Sequence, residues 1–169
     1  KETGKETENE TENEAKIKTT LLPEPLDEFS YFNGHYESIS GAELGTGWNY
    51  VESWKPAIRC GTRQKFVNVP MLECVEAGKE LTFRFRGRGV GIFTVSGPDT
   101  GIIEWSVDGA PWKSKDFYTP WSGGLFLPWA QVLEAELTDT EHVLKLRLSP
   151  EKNARSTGTS IRIVHFLVN

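Results

Sequence analysis

The chain has 169 residues, of which 37% are hydrophobic and 25% charged, and its net charge is -5. This length is enough for one domain with a hydrophobic core, two cysteines cannot provide a disulfide scaffold, and no apolar run is long enough to span a membrane. Residues 1–28, with four lysines and nine acids, account for the whole net charge, so the remainder is formally neutral. A neutral body with an acidic tail argues against a nucleic-acid partner.

The first segment of the chain is a low-complexity acidic repeat, "KETGKETENETENE". It has no large apolar side chain to bury, so it cannot offset the entropy of ordering. The sequence therefore predicts a disordered acidic spacer or tether over residues 1–28 and a single domain over residues 29–169. A charged tether of this kind is expected of an exported protein, periplasmic or at the cell surface, with a lipid anchor as one means of attachment.

The first half of the domain is predicted to form short strands. "WNYVESW" and "KFVNVPMLECV" are rich in β-branched and aromatic residues, and "ELTFRFRG" alternates strictly between apolar and polar positions. That alternation places Leu81, Phe83 and Phe85 on one face of a half-buried strand. The following "RGRGVG" opens no helix that could hold a phosphate, so a bulge or a tight hairpin is predicted there.

The second half continues the β pattern. Strands are predicted in "GVGIFTVSG" and on both sides of Asp108-Gly109, a strong hairpin signal. "LPWAQVLEAEL" is assigned one short helical turn at most. "HVLKLRLS" alternates again, and the closing "TSIRIVHFLVN" is apolar on both faces, as expected of a strand inside a sheet. The fold class predicted is all-β, an antiparallel β-sandwich of the jelly-roll type.

Catalytic signatures are missing from the sequence. It contains no G-x-S-x-G, H-E-x-x-H, C-x-x-C or Walker motif. His142 is interpreted as an exposed turn residue and His165 as a hydrogen-bonded histidine in or near the core, which leaves His35 as the histidine placed to meet a ligand. A serine triad drawn from Ser122, His35 and Asp116 has no support in the spacing. No catalytic residue is assigned.

Metal and cysteine chemistry are weakly indicated. No cofactor is predicted, although the turn acids Asp99 and Asp108 leave a structural calcium ion open. Cys60 and Cys74 either form a disulfide in an oxidising compartment or remain two independent buried thiols.

Two groups of side chains are candidates for ligand binding. Arg84 and Arg86, with Arg88 as a further member, form either a solvated, salt-bridged face or a groove for an acidic sugar, whose carboxylate would match the guanidinium fork. The second group is aromatic and lies in or near "FYTPWSGGLFLPW". An exposed indole near a loop can stack on the C–H face of a pyranose ring, whereas a folded-back loop would bury it. The candidate ligand-binding residues are Trp112, Trp121, Tyr118, Trp129, His35, Arg84 and Arg86.

Four segments, "FVNVPMLE", "GIFTVSGPDTGIIEWSVDG", "DFYTPWSGGLFLPWAQVL" and "RIVHFLVN", give the chain a resemblance to a known module. Over about residues 29–169 it resembles the β-sandwich (jelly-roll) accessory module associated with secreted bacterial SGNH/GDSL-type hydrolases. The Gly-Asp-Ser block, which carries the serine of those hydrolases, is absent from this chain, so no catalytic residue carries over. The resemblance implies a module that binds a glycan, shapes a hydrolase cleft or docks on a partner domain.

The preferred hypothesis is a non-catalytic module of an exported carbohydrate-active or esterase system, with a polysaccharide or glycan as its partner through the loop aromatics. The first alternative is a structural module that packs on a neighbouring hydrolase domain and binds no sugar. The second is a free-standing acyl-ester hydrolase with an unrecognised site.

Overall fold

The computed structural model describes residues 21, 23–24, 26–27, 29–30 and 32–169, so most of the predicted spacer lies outside the described residues. The described part is built of β-strands and two short 3-10 helices, Ile39–Gly41 and Gln64–Phe66. In chain order the strands are β1 (His35–Glu37), β2 (Ala42–Leu44), β3 (Trp48–Val51), β4 (Gly61–Thr62), β5 (Met71–Cys74), β6 (Leu81–Gly87), β7 (Val90–Ser96), β8 (Ile102–Val107), β9 (Lys113–Asp116), β10 (Leu125–Glu134), β11 (Thr140–Leu148) and β12 (Ile161–Val168). No helix among the described residues is long and apolar enough to cross a membrane.

The strands form two sheets. The seven-stranded sheet has the order β3-β5-β12-β7-β10-β4, with β1 also paired to β12, and the five-stranded sheet has the order β2-β6-β11-β8-β9. The two-residue pairing of β4 with β10 is parallel, and the other strand pairings are antiparallel. Consecutive strands often lie in different sheets, as β6 and β7 do. The predicted all-β sandwich is confirmed.

The main hydrophobic core lies between the two sheets. β6 and β11 contribute every second residue to it, so the alternation predicted for "ELTFRFRG" and "HVLKLRLS" is observed as alternating burial. At its centre the rings of Phe83 on β6 and Phe166 on β12 are parallel within 5°, with centroids 3.8 Å apart, so an aromatic pair joins the two sheets directly.

A second, smaller core covers part of the outer face of the seven-stranded sheet. The β3–β5 connection folds back over this face and inserts Trp54 and Phe66 against Val95, Phe126 and Val164. Most of "KFVNVPMLECV" therefore belongs to this covering segment rather than to a strand, and only its last part forms β5. The apolar residues on both faces of β12 are explained in the same way, because that strand is buried on both sides.

The predicted turn at Asp108-Gly109 is confirmed as the hairpin between β8 and β9. Both residues have positive φ, 52° and 76°, and the Ala110 N–H donates to the Val107 carbonyl at 2.9 Å. These angles match a type I′ turn, whose twist suits two antiparallel strands.

Two local predictions are wrong. "RGRGVG" does not join a hairpin, because β6 and β7 belong to different sheets and the chain crosses between them here. Gly87 makes the crossing possible: it has φ 146°, and a Cβ there would collide with the carbonyl of Asn169. "LPWAQVLEAEL" is also not a helical turn, since most of it lies in β10, the longest strand, where pairing with β7 overrides the helix-forming residues.

Cys60 and Cys74 are free thiols, as in the second of the two alternatives. Cys60 packs in the outer core and Cys74 in the core between the sheets, so the seven-stranded sheet separates them. Burial raises the pKa of both thiols. A disulfide between them would require a rearrangement of the sheet.

One buried hydroxyl gives a test of the packing. Ser96 Oγ on β7 is buried and has no hydrogen-bond partner among the described residues. We expect Ser96→Ala to raise the free energy of unfolding by about 1 kcal/mol, because the unsatisfied hydroxyl is removed. The matched control is Ser156→Ala, whose equally buried Oγ lies 2.8 Å from the Thr100 carbonyl and which should lower the stability instead. Urea unfolding of both variants measures the difference, and equal losses would contradict the assignment.

Candidate functional site

The exposed aromatic group lies where β9 leads into β10. The connecting loop makes a turn in which the Ser122 N–H donates to the Thr119 carbonyl at 3.1 Å, and Ser122 Oγ also lies 2.9 Å from Thr119 Oγ1. Ser122 is fully buried and anchors the loop, whereas Trp121 beside it is 57% exposed. Both alternatives for "FYTPWSGGLFLPW", burial and exposure, hold for part of the segment. Phe117 and Phe126 are core residues, whereas Trp121 at the loop tip presents its indole to solvent.

Trp121 faces a second exposed indole. Trp129, in the middle of β10, is 43% exposed, and its ring lies nearly parallel to that of Trp121, with centroids 6.3 Å apart and planes at 16°. Trp129 is fixed by its strand, whose register pairs it with Thr94 on β7. We call Trp121 and Trp129 the tryptophan platform. It offers a large apolar surface whose geometry is set by a buried turn and a paired strand.

Polar side chains continue the platform along the same face of β10. Gln131, two residues beyond Trp129, accepts a hydrogen bond through Oε1 from Lys115 Nζ at 2.9 Å. Further along, Lys113 Nζ lies 2.6 Å and 2.8 Å from the two carboxylate oxygens of Glu134. These contacts join β9 of one sheet to β10 of the other, so this side of the sandwich carries indoles, an amide, two ammonium groups and the carboxylate of Glu134.

Of the other two aromatic residues predicted to bind a ligand, Tyr118 lies beside the platform and Trp112 lies on a different surface. The Tyr118 hydroxyl reaches Gly123 in the same loop, and its ring is covered by the guanidinium of Arg155 at 5.3 Å. Trp112 lies on the outer face of the five-stranded sheet, where the guanidinium of Arg147 stacks on it at 3.9 Å. The structure therefore groups Trp121 with Trp129, places Tyr118 at their margin and leaves Trp112 on another surface.

The predicted arginine pair lies on the outer face of the five-stranded sheet. Arg84 Nε is 3.2 Å from Glu43 Oε1 and Arg86 Nε is 3.9 Å from Asp139 Oδ1, with both arginine side chains 67% exposed. A carboxylate of the chain therefore compensates each guanidinium. This geometry is that of the solvated, salt-bridged face.

His35 lies far from the tryptophan platform. It is exposed on β1, with Nδ1 2.8 Å from the Asn33 carbonyl and Nε2 3.2 Å from Glu37 Oε1. These acceptors, the Asn33 carbonyl above all, raise its pKa. Its strand pairs with the last residues of β12, beside an apolar cavity of about 340 Å³ on the outer face of the seven-stranded sheet. Tyr36 forms one wall of this cavity.

The triad drawn from the sequence is not assembled. Ser122 is buried and bonded to Thr119, Asp116 Oδ2 accepts from Asn153 at 2.6 Å, and His35 has the partners given above. None of the three contacts another.

The carboxylates of the turn acids Asp99 and Asp108 already have hydrogen-bond partners within the chain. Arg162 holds the Asp99 carboxylate through two hydrogen bonds of 2.9 Å and 2.6 Å, and Asp108 Oδ2 lies 2.6 Å from His142 Nδ1. Within the part of the chain that the structure describes, no group of three or more His, Cys, Asp or Glu side chains is arranged to hold a metal ion. The calcium interpretation has no ligand set in this geometry.

His142 is not the exposed turn residue that the sequence indicated. It is 6% exposed on β11, with Asp108 at Nδ1 and the Thr138 carbonyl 2.8 Å from Nε2. Burial lowers the pKa of His142, but these two acceptors outweigh it and the net shift is upward. His165, in contrast, is half-buried, with its ring 5.0 Å from that of Tyr36, and no hydrogen bond to it is found among the described contacts.

No protein-family model matches the chain, and no curated protein matches it in sequence. Solved structures do. A two-domain esterase active on acetylated mannans, solved with mannopentaose, superposes with a TM-score of 0.63 at 14% identity over 88% of this chain and 39% of its own. A family two carbohydrate esterase from Cellvibrio japonicus gives 0.52 at 11% identity over 80% of this chain and 32% of its own.

A family 35 carbohydrate-binding module from Clostridium thermocellum gives a TM-score of 0.52 at 10% identity, over 82% of this chain and 99% of the module. This chain therefore spans less than two fifths of the two esterases but the whole of the binding module. At these identities the likeness shows the fold. It confirms the resemblance to a β-sandwich accessory module at that level.

Proposed function

We propose that this chain is a non-catalytic carbohydrate-binding module and that the tryptophan platform is its glycan site. The observation that carries the proposal is the parallel arrangement of Trp121 and Trp129, both exposed and both held by ordered backbone. Exposed, rigid indoles provide the partly apolar surface on which the C–H face of a sugar ring can stack, and hydrogen-bonding groups such as the amide of Gln131 lie beside them.

The fold supports the same proposal. One structural neighbour is a carbohydrate-binding module, and others are esterases active on carbohydrates. We propose accordingly that the chain serves an exported carbohydrate-active system of the SGNH/GDSL hydrolase type. Ser122, His35 and Asp116 do not form a triad, and we propose that the ester or glycosidic chemistry of such a system belongs to another domain.

The test is a titration of tryptophan fluorescence with neutral and acidic polysaccharides, alongside acrylamide quenching. We expect saturable binding that Trp129→Ala and Trp121→Ala each weaken by at least about tenfold, because each removes one of the stacking faces. The free energy of unfolding should fall by no more than about 1–2 kcal/mol, since the indoles of Trp121 and Trp129 are 57% and 43% exposed.

The matched control is Trp112→Ala, which removes an indole from a different surface. It should leave the affinity unchanged, because Arg147 already covers that ring. Accessible tryptophans together with no binding to any polymer would refute the glycan proposal.

A specific observation favours a second candidate function, packing on a catalytic domain. On the outer face of the seven-stranded sheet the register aligns Tyr36, Leu167, Gly91 and Val132 in one row, with Tyr36 and Val132 each 63% exposed. A contiguous row of exposed apolar side chains is typical of a surface that contacts another protein or domain. This candidate predicts that replacing Val132 with Asp alters association with a partner domain and leaves glycan binding intact.

A further inference from the structure

The tryptophan platform is adjacent to a cation, Lys115, that no carboxylate among the described residues neutralises. Lys113 and Lys115 both project from β9 toward β10, but only Lys113 meets a carboxylate, that of Glu134. Among the described residues, Lys115 has no carboxylate within salt-bridge distance, and its ammonium donates to the neutral Gln131. The carboxylate of the adjacent Asp116 accepts instead from the Tyr118 N–H and from Asn153.

The contact with Lys115 fixes the orientation of the Gln131 amide. An ammonium group only donates, so the atom that faces it must be Oε1, and Nε2 is the free end of the amide. None of the hydrogen bonds found among the described residues uses this Nε2, although Gln131 is only 9% exposed. Lys115 and Gln131 together thus offer several N–H donors, and the one side-chain acceptor between them, Oε1, already accepts from Lys115.

The distance from the platform to these donors is close to the distance between neighbouring sugar rings of a glycan. Gln131 and Trp129 are two residues apart on one face of β10, a separation of about 7 Å. A glycan stacked on the platform and running along β10 would bring the substituents of its next ring to Lys115. A group that accepts several hydrogen bonds and carries a negative charge is the best complement of a positive site rich in donors.

We infer that Lys115 and Gln131 form a subsite for the carboxylate of a uronic acid, so that the platform prefers an acidic glycan. This inference rests on the proposed function and specifies its ligand class. It also moves the recognition of an acidic sugar away from Arg84 and Arg86, each of which already has a carboxylate of the chain as its partner.

The experiment compares polymers that differ only in the carboxylate. Polygalacturonate, alginate and glucuronoxylan are each titrated beside their own carboxyl-reduced form, with the intact chain at low and high salt. We expect at least one polymer to bind about tenfold more tightly than its reduced form, the effect of a charge-assisted hydrogen bond. This preference should decrease with added salt, because screening weakens an exposed charge.

Lys115→Ala should abolish the preference, so that the acidic polymer and its reduced form bind that variant equally, and Lys115→Arg should retain most of the preference. The matched control is Lys145→Ala, which removes an ammonium paired with Glu80 on the outer face of the five-stranded sheet. Equal unfolding midpoints for these variants would exclude a loss of structure.

Failure of the inference and failure of the proposed function give different results. If the acidic and reduced polymers bind equally, or if Lys115→Ala keeps the preference, the carboxylate subsite is overturned while the platform stands. If no polymer binds, both are overturned.

Discussion

Replacing Arg162 with Met is expected to lower the free energy of unfolding by about 3–5 kcal/mol, the largest stability loss that we predict. Arg162 is 4% exposed on β12 and binds two carboxylates, Asp99 through two hydrogen bonds and Glu73 through one of 2.9 Å. The rings of Trp54 and Phe126 lie over the same guanidinium, at 5.4 Å and 5.1 Å. Without the arginine, two carboxylates stay partly buried with no cation to compensate them. Urea unfolding at neutral pH measures the loss.

The control is Arg84→Met, which breaks an ion pair whose partners are both 67% exposed. Its effect should stay below about 1 kcal/mol, as for other solvent-exposed pairs. The double variant Arg162→Met with Asp99→Asn should recover part of the stability, because it removes one uncompensated charge. Equal losses for Arg162→Met and Arg84→Met would contradict the structural role of Arg162.

The loss of stability caused by Arg162→Met should also depend on pH. Burial alone would raise the pKa of Asp99, but its hydrogen bonds and charge interaction with Arg162 outweigh burial, and the pKa lies below its usual 3.8. A lowered pKa stabilises the fold at pH values above 3.8, and this stabilisation is lost as the pH falls through the folded-state value. In the Met variant both contributions of Arg162 are lost and burial weighs more in the balance, so acid neutralises Asp99 more easily there. The difference between the two proteins should therefore shrink from about pH 7 to about pH 4.

The sequence predicted the class of fold because the signal for it is local. Alternation along β6 and β11 depends only on neighbours two residues apart, and the hairpin turn needs only Asp108-Gly109. The same local logic failed where a distant segment decides the structure. "RGRGVG" looks like a hairpin until it is known that β6 and β7 lie in opposite sheets, and His142 looks exposed until Asp108 is brought against it.

In the candidate site, too, the sequence predicted the local features and not those that depend on distant segments. Proline and glycine around Trp121 indicated an indole on a loop, which the structure shows. The parallel placement of Trp129 depends on the register of β10 with β7, and the contact of Lys115 with Gln131 depends on how two different sheets approach each other. No spacing in the sequence reports either relation. For the same reason Trp112 and His35, chosen for their local setting, lie on other surfaces.

Replacing His142 with Gln is expected to destabilise the fold by about 2 kcal/mol near pH 6 and by much less near pH 9. Both ring nitrogens of His142 face acceptors, Asp108 Oδ2 at 2.6 Å and the Thr138 carbonyl at 2.8 Å. A neutral imidazole has one N–H and can satisfy only one of them, so the fold favours the imidazolium. Because the pKa of His142 is raised above 6.5, its stabilisation is fully present below that value and is lost as the pH rises through the folded-state pKa.

Two measurements check this prediction. Nitrogen-15 NMR of the imidazoles should show both nitrogens of His142 protonated at about pH 6, with a titration midpoint above 6.5. The matched substitution His35→Gln, at an exposed histidine, should change stability little at either pH. A midpoint for His142 at or below the ordinary value would show that the neutral ring is accepted. In that case Asp108 would stabilise the β8–β9 turn through the Val143 N–H, which donates to its Oδ1 at 2.8 Å, rather than through a charge on His142.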